Sequence, residues 1–265
     1  MQMSQEIQTR MMKKINPRIS TAAIALLLGG MLIMTSSEVV GQQQQPTSPL
    51  TSFSVNQTSE EWTASFDLKN CDLTSTGENS YFILEPGYQV ILEGEEDEEE
   101  LQLTMTVLDE TKVVDGVETR VVEEKESEGG NLVEVSRNYF AICRPTNDAF
   151  YFGEDVDIYE DGEIVSHEGA WLAGQNGAKA GMIMPGNVEA GMKYYQEIAP
   201  GVAEDRAEIV SVNEVLDTPA GDFQNVLKTE ETNPLEPNEK EYKLYAPGIG
   251  LIQEEGLKLV NYTRP

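Results

Sequence analysis

Asp155 and Asp157 stand two residues apart in FYFGEDVDIYEDGEIVSHEGAW (150–171), a stretch in which Tyr151, Val156, Ile158, Ile164 and Val165 are β-formers. In a strand that spacing sets both carboxylates on one face, where like charges repel unless solvent or a cation reduces the field. Weak divalent-cation binding is therefore the first chemistry the chain suggests. Calcium suits such a surface better than magnesium, because it takes about six to eight oxygens and tolerates irregular geometry. No glycine sits at the sixth position of a loop beginning at Asp155, so the EF-hand pattern is missing. An affinity near the millimolar range of extracellular modules is expected, with calcium acting on stability and not as a catalytic cofactor.

Other chemistries find less support. Serine or cysteine catalysis needs a base beside the nucleophile, yet the sole histidine is His167 and no G-x-S-x-G elbow occurs. His167, Met182 and Met184 could form a soft copper set, although a methionine pair beside Pro185-Gly186 is more simply core filler. A glycosidase needs two carboxylates flanking an aromatic-lined cleft. Acidic residues are so numerous beside Trp62 and Trp171 that they single out no pair.

The elements that would position these groups are strands. Asp161-Gly162 between Ile158 and Ile164 is the dipeptide that two-residue hairpin turns prefer. Leu101, Leu103, Met105 and Val107 alternate with Gln102, Thr104 and Thr106, which predicts one buried face. Trp62, Ala64, Phe66 and Leu68 show the same period, and a strand is expected there at the start of the domain. Further strands are expected over residues 88–92, 117–124, 132–143, 193–198, 207–215, 223–230, 240–245 and 250–255, with Asp115-Gly116 and Gly129-Gly130-Asn131 as turns. Residues 174–186 read as a Gly-rich loop and its exit. No stretch with a 3.6-residue period is long enough for a helix. An all-β domain built as an antiparallel meander follows, spanning residues 53–265 behind a flexible linker at 42–52.

Charge and processing signals bound the compartment. The chain holds 47 acidic against 18 basic residues, which excludes nucleic acid and favours a solvated acidic surface. Lys13, Lys14 and Arg18, then the apolar run Ala22–Met34, then short residues to Gly41 form an export signal over 1–41. Cleavage after Gly41 leaves 14 basic against 45 acidic residues in a secreted or cell-surface chain with no further membrane insertion. An uncleaved signal anchor reaching back to Ile19 is the alternative, and would tether the protein to the membrane. Two cysteines, Cys71 and Cys143, read as a disulfide in an oxidising compartment, with a pair of buried thiols as the alternative. Asn56-Gln-Thr58 and Asn261-Tyr-Thr263 are candidate glycosylation sequons at the two ends of the domain.

Four phrases carry a resemblance: Glu85-Pro86-Gly87, Ala199–Arg206, Pro219-Ala-Gly-Asp-Phe223 and Tyr245-Ala-Pro-Gly-Ile-Gly-Leu251. Over about residues 80–257 the chain resembles a group of exported, functionally uncharacterised bacterial and archaeal proteins that share PAG-x-F before a strand and YAPG-[IV]-GL near the C-terminus. The resemblance implies a strongly curved antiparallel sheet or half-open barrel, and no catalytic residue. The function expected is a non-enzymatic exported β-domain that binds an unidentified ligand or protein partner in the concavity of its sheet. A hydrolase of a surface polymer using two carboxylates near Trp171, or an envelope structural protein, are the alternatives. Two carboxyls about 5–10 Å apart beneath an exposed aromatic would mark the hydrolase, and an apolar concavity would mark the binding domain.

Overall fold

A computed structural model describes residues 61–96 and 98–265. The expected signal, the linker and the Asn56 sequon lie outside them. Within them strands are the dominant element and no α-helix occurs, as the turn spacing implied. Two five-stranded meanders dominate. The first comprises β2 (Gln89–Glu96), β3 (Glu99–Val114), β4 (Val117–Glu128), β5 (Asn131–Cys143) and β6 (Asp148–Glu160). The second comprises β12 (Arg206–Thr218), β13 (Gly221–Asn233), β14 (Glu236–Ala246), β15 (Gly250–Glu254) and β16 (Leu257–Thr263). Between them run β7 (Glu163–Ser166), β8 (Trp171–Leu172), β9 (Lys179–Met184), β10 (Lys193–Tyr195) and β11 (Glu197–Ile198), while β1 (Leu73–Thr74) precedes them.

Thirteen of these strands form one continuous antiparallel path, from β10 through β12–β16, then β2–β6, then β9 to β11. Pairing of β16 with β2 joins the two meanders, and the path curls into a nearly closed barrel. One seam stays unpaired, between β10 and β11, which are consecutive in the chain with Gln196 between them. Gly181 of β9 makes the seam's close packing possible: a Cβ there would lie 2.1 Å from the Gln196 carbonyl oxygen.

The expected turns are present. Asp161 (φ 51°) and Gly162 (φ 79°), like Asp115 and Gly116, occupy the left-handed positions a primed two-residue hairpin turn demands. Three elements escaped the sequence pattern: the two-residue β1, β9 and β16. β9 carries Ala180 and Gly181, which have little strand propensity and owe their place to the seam. β16 follows a turn at Glu255-Gly256 that has no Asn-Gly or Asp-Gly signature.

Two expectations are corrected: the strand expected over 193–198 breaks at Gln196 into β10 and β11, which pair with β12 and β9, and residues 62–68 form no strand. Thr63 makes a single bridge, to Tyr194, and a 3-10 turn follows at Leu68–Asn70. Ala64 is exposed, so the alternation never became a buried face; Trp62, Phe66 and Leu68 instead anchor the segment singly, with Phe66 edge-on to Phe150 at 5.5 Å. Behind it Cys71 and Cys143 form the expected disulfide, with Cα atoms 5.1 Å apart across 72 residues. Leu73 pairs with Cys143 beside it, so the bond ties the first segment to the end of β5. Closing such a loop stabilises by about 2–4 kcal/mol in the chain-entropy account.

Two of the phrases that carry the resemblance pack together. The Tyr88 hydroxyl, next to Pro86-Gly87, donates to the Ile249 carbonyl at 2.6 Å, and the Gly248 N–H donates to the Ser80 carbonyl at 2.7 Å. Burial raises the Tyr88 phenol to about 12, so it stays a donor at any ordinary pH.

Candidate functional site: an acid-lined barrel lumen

Register fixes which side chains face inward. One rung around the barrel runs Leu259, Leu92, Leu103, Glu126, Glu134, each directly opposite the next. A neighbouring rung runs Val90, Met105, Glu124, Ser136. The apolar face predicted for β3 is thus continuous with acidic residues one strand later. Across the barrel, Glu231 sits opposite Glu241 and Lys243 opposite Glu254. Glu154 of β6, Glu197 of β11 and Asp205, just before β12, complete the set.

Backbone bonds bring the last two together. The N–H groups of Gln196 and Glu197 both donate to the Asp205 carbonyl, at 2.7 and 3.1 Å, and the turn Ala199–Ala203 closes the loop between them. Nine carboxyl groups therefore share one lumen: Glu124, Glu126, Glu134, Glu154, Glu197, Asp205, Glu231, Glu241 and Glu254. Lys243 stands among them, 2.6 Å from Glu254 and 3.3 Å from Glu231. Glu231 is further held by Gln196 Nε2 at 3.1 Å and by the Thr229 hydroxyl at 3.2 Å.

Confinement changes how these groups titrate. Glu124, Glu134 and Glu241 keep some accessible surface although protein surrounds them, so they face a space that admits water. Loss of bulk solvation raises each to about 7; for Glu124 the neighbouring Glu254 adds to the effect, and for Glu241 Lys243 opposes it. Burial first, and then facing carboxylates, push Glu126, Glu154, Glu197 and Asp205 upward too. Lys243 is raised as well: burial acts against its charge, but Glu231 and Glu254 outweigh it.

A cavity of about 100 Å³ opens on this lumen, lined by Gln196, Glu197, Asp205, Glu231, Glu241 and Tyr245 among others. Gln196 is only 4% exposed, and its Oε1 is buried with no hydrogen-bond partner in the protein; the same is true of Glu197 Oε2. A second cavity, of about 190 Å³, lies against Glu154, Trp171, Leu172, Ala178, Ala199 and Val202. The indole N–H of Trp171 is directed at the Glu197 carboxyl and works against the upward push of burial on it.

The residues singled out from sequence lie elsewhere. Asp155 and Asp157 do share a face of β6, but each has its own partners in the protein. Asp155 accepts from Lys112 Nζ at 2.8 Å and from the Tyr139 hydroxyl. Burial pushes its carboxyl up, and these two hydrogen bonds outweigh that and hold it below the usual range. Asp157 accepts from Arg137 at 3.0 Å and lies 2.9 Å from His167 Nδ1. Among the described residues no three His, Cys, Asp or Glu side chains converge as metal ligands. Met184 is buried and Met182 packs against the core, and Asn261 is exposed on β16.

The lumen carboxylates were within reach of sequence reasoning at one place. A two-residue turn at Asp115-Gly116 puts the even positions of β4 on the face of Leu101, Leu103 and Met105, hence Glu124 and Glu126 inward. The irregularity between Val107 and Thr111 shifts the register by two residues and so leaves the faces unchanged. Nothing comparable points to Glu197 and Asp205, which meet through a loop. No family model, no curated protein and no solved structure matches the chain.

Proposed function

We propose that this chain is an exported, non-enzymatic barrel that takes a small cationic ligand into the acid-lined end of its lumen. The observation that carries this reading is that inward carboxyl groups far outnumber the lysines, Lys240 and Lys243, that line the same cavity, where the buried acceptor Gln196 Oε1 has no partner in the protein. A ligand that satisfies acceptors must bring donors and positive charge. A volume of about 100 Å³ is below the usual range of about 300–1,000 Å³ for drug-sized ligands, which restricts the occupant to a few heavy atoms in that cavity. The disulfide supports an oxidising compartment. A polymer hydrolase fits less well: carboxyls are present, but Trp171 is 6% exposed and offers no open platform for a sugar ring.

The test is calorimetric titration of the full chain with butylammonium, guanidinium, calcium, succinate and glucose at matched ionic strength. Saturable binding of the organic cations, tighter at pH 8 than at pH 5.5 and lost in Glu197→Gln/Asp205→Asn, is the expected result. Equal heats from succinate or glucose, or no saturable binding of any cation, would overturn it.

A further inference from the structure

We infer that the joint between β9 and β11 is a latch on the lumen, held shut by a cation on Glu197 and Asp205 and loosened when those carboxylates stand charged and empty. This rests on the cation-binding reading above and adds the regulation of that site. The joint is short. β9 and β11 share two residue pairs, Glu197 with Ala180 and Ile198 with Lys179, whereas β2 and β3 share eight. The other two-pair joint of the path, β15 with β16, is a hairpin held by its own turn; β9 and β11 have no such turn, since β10 lies between them in the chain. At Gly181 the two sides meet as bare backbone, with no room for a Cβ beneath the Gln196 carbonyl. Gln196, Glu197 and Asp205 all line the lumen cavity, so loosening this joint takes the cation site apart.

Three carboxyls converge on the joint. Glu197 belongs to β11, Asp205 takes the N–H groups of Gln196 and Glu197 on its backbone carbonyl, and Glu154 lies in β6, the strand on which β9 packs. Burial first, then Asp205 and Glu154, push the Glu197 carboxyl up, while Lys243 and the Trp171 indole oppose them. Burial, then Glu134, Glu124 and Asp205, raise Glu154 to about 8 against the Tyr151 hydroxyl. Burial, then Glu231 and Glu236, raise Asp205 to about 7 against Lys243 and Asn233. Opening the joint returns these groups to water, where they ionise in the ordinary carboxylate range. The closed joint therefore holds more protons than the open one, and it opens more readily as pH rises. A cation takes the place of those protons, and its donors also meet Gln196 Oε1, which is buried without a partner at the point where the chain passes from β10 to β11.

The experiment is amide hydrogen exchange on the full chain, corrected for the intrinsic effect of pH on exchange, at residues 179–181 and 196–199, with residues 90–92 and 103–105 of the long β2–β3 ladder as reference. From pH 6 to pH 8, protection at the joint should fall about tenfold more than at the reference, as expected for roughly one proton released on opening. Saturating butylammonium at pH 8 should restore it. Glu154→Gln/Glu197→Gln/Asp205→Asn should remove the excess fall. So should an oxidised Lys179→Cys/Ile198→Cys crosslink, placed at directly opposed residues, which keeps all three carboxyls. Equal falls at joint and reference, an excess that survives both variants, or butylammonium binding by calorimetry without restored protection overturns the latch while the cation-binding reading stands. Failure of butylammonium to bind overturns both.

Discussion

On the same rung of the barrel, Leu259, Leu92 and Leu103 are sealed from water, and one strand further Glu126 and Glu134 face each other as like charges. The two regions share a backbone geometry and differ in what their side chains ask of it. The apolar arc of β16, β2 and β3 gains by excluding water, roughly 25 cal/mol per Å² buried. The acidic arcs of β4–β6 and β13–β15 lose solvation and face repulsion, costs that a structural core has no reason to carry. The difference teaches that the apolar arc holds the barrel shut, while the acidic arcs carry a cost that the proposed cation binding would explain.

That contrast can be broken at four points. Lys243→Met should destabilise most, by about 4 kcal/mol at pH 8, because Glu231 and Glu254 would be left confined without their cation. Urea titration should show the loss shrinking at pH 5.5, where protonation of the lumen carboxyls relieves it. Leu259→Ala should cost about 3 kcal/mol through the cavity it leaves, by the same amount at both pH values. A pH-dependent Leu259→Ala, or a pH-independent Lys243→Met, would erase the distinction between the arcs.

The unmodified chain should itself respond to pH. Glu124, Glu134 and Glu241 titrate near 7 when folded and near 4.3 when unfolded. The folded state therefore holds more protons between those values, and stability, full below about pH 4.3, is lost as pH rises through about 7. A fall in melting midpoint of roughly 5–10 °C from pH 5.5 to pH 8.5, in the absence of added cations, is the expected outcome. A rise over that interval would contradict the lumen's confinement. Smallest is Glu126→Gln, which removes one of the two like charges facing each other across β4 and β5. It should stabilise by about 0.5–1 kcal/mol at pH 8 and by nothing measurable at pH 5, read as the shift in urea midpoint.

Much of the frame was legible. Asp115-Gly116 and Asp161-Gly162 specify hairpins through their backbone preference, and the alternation in β3 names its buried face, because both signals are local. The segment at Trp62–Leu68 shows the limit of that logic: alternation makes a strand only where a neighbouring strand is available, and Thr63 found a single bridge to Tyr194. Acidic composition suggested a solvated surface, and one of its inward uses, Glu124 and Glu126, follows from parity across a known turn.

By itself, then, the sequence determined an antiparallel all-β chain, the position of its tight turns, the two cysteines that would pair and the inward parity of β4. Tertiary structure alone decided that β16 would pair with β2 and join the two meanders, that Gly181 would bring β9 against Gln196 at the seam, and that Glu197 and Asp205 would meet Glu154 and Glu231 in one lumen. Turns and alternation act over a few residues, whereas closure of a barrel depends on which distant edges find each other. A period-2 pattern carries no record of that partner.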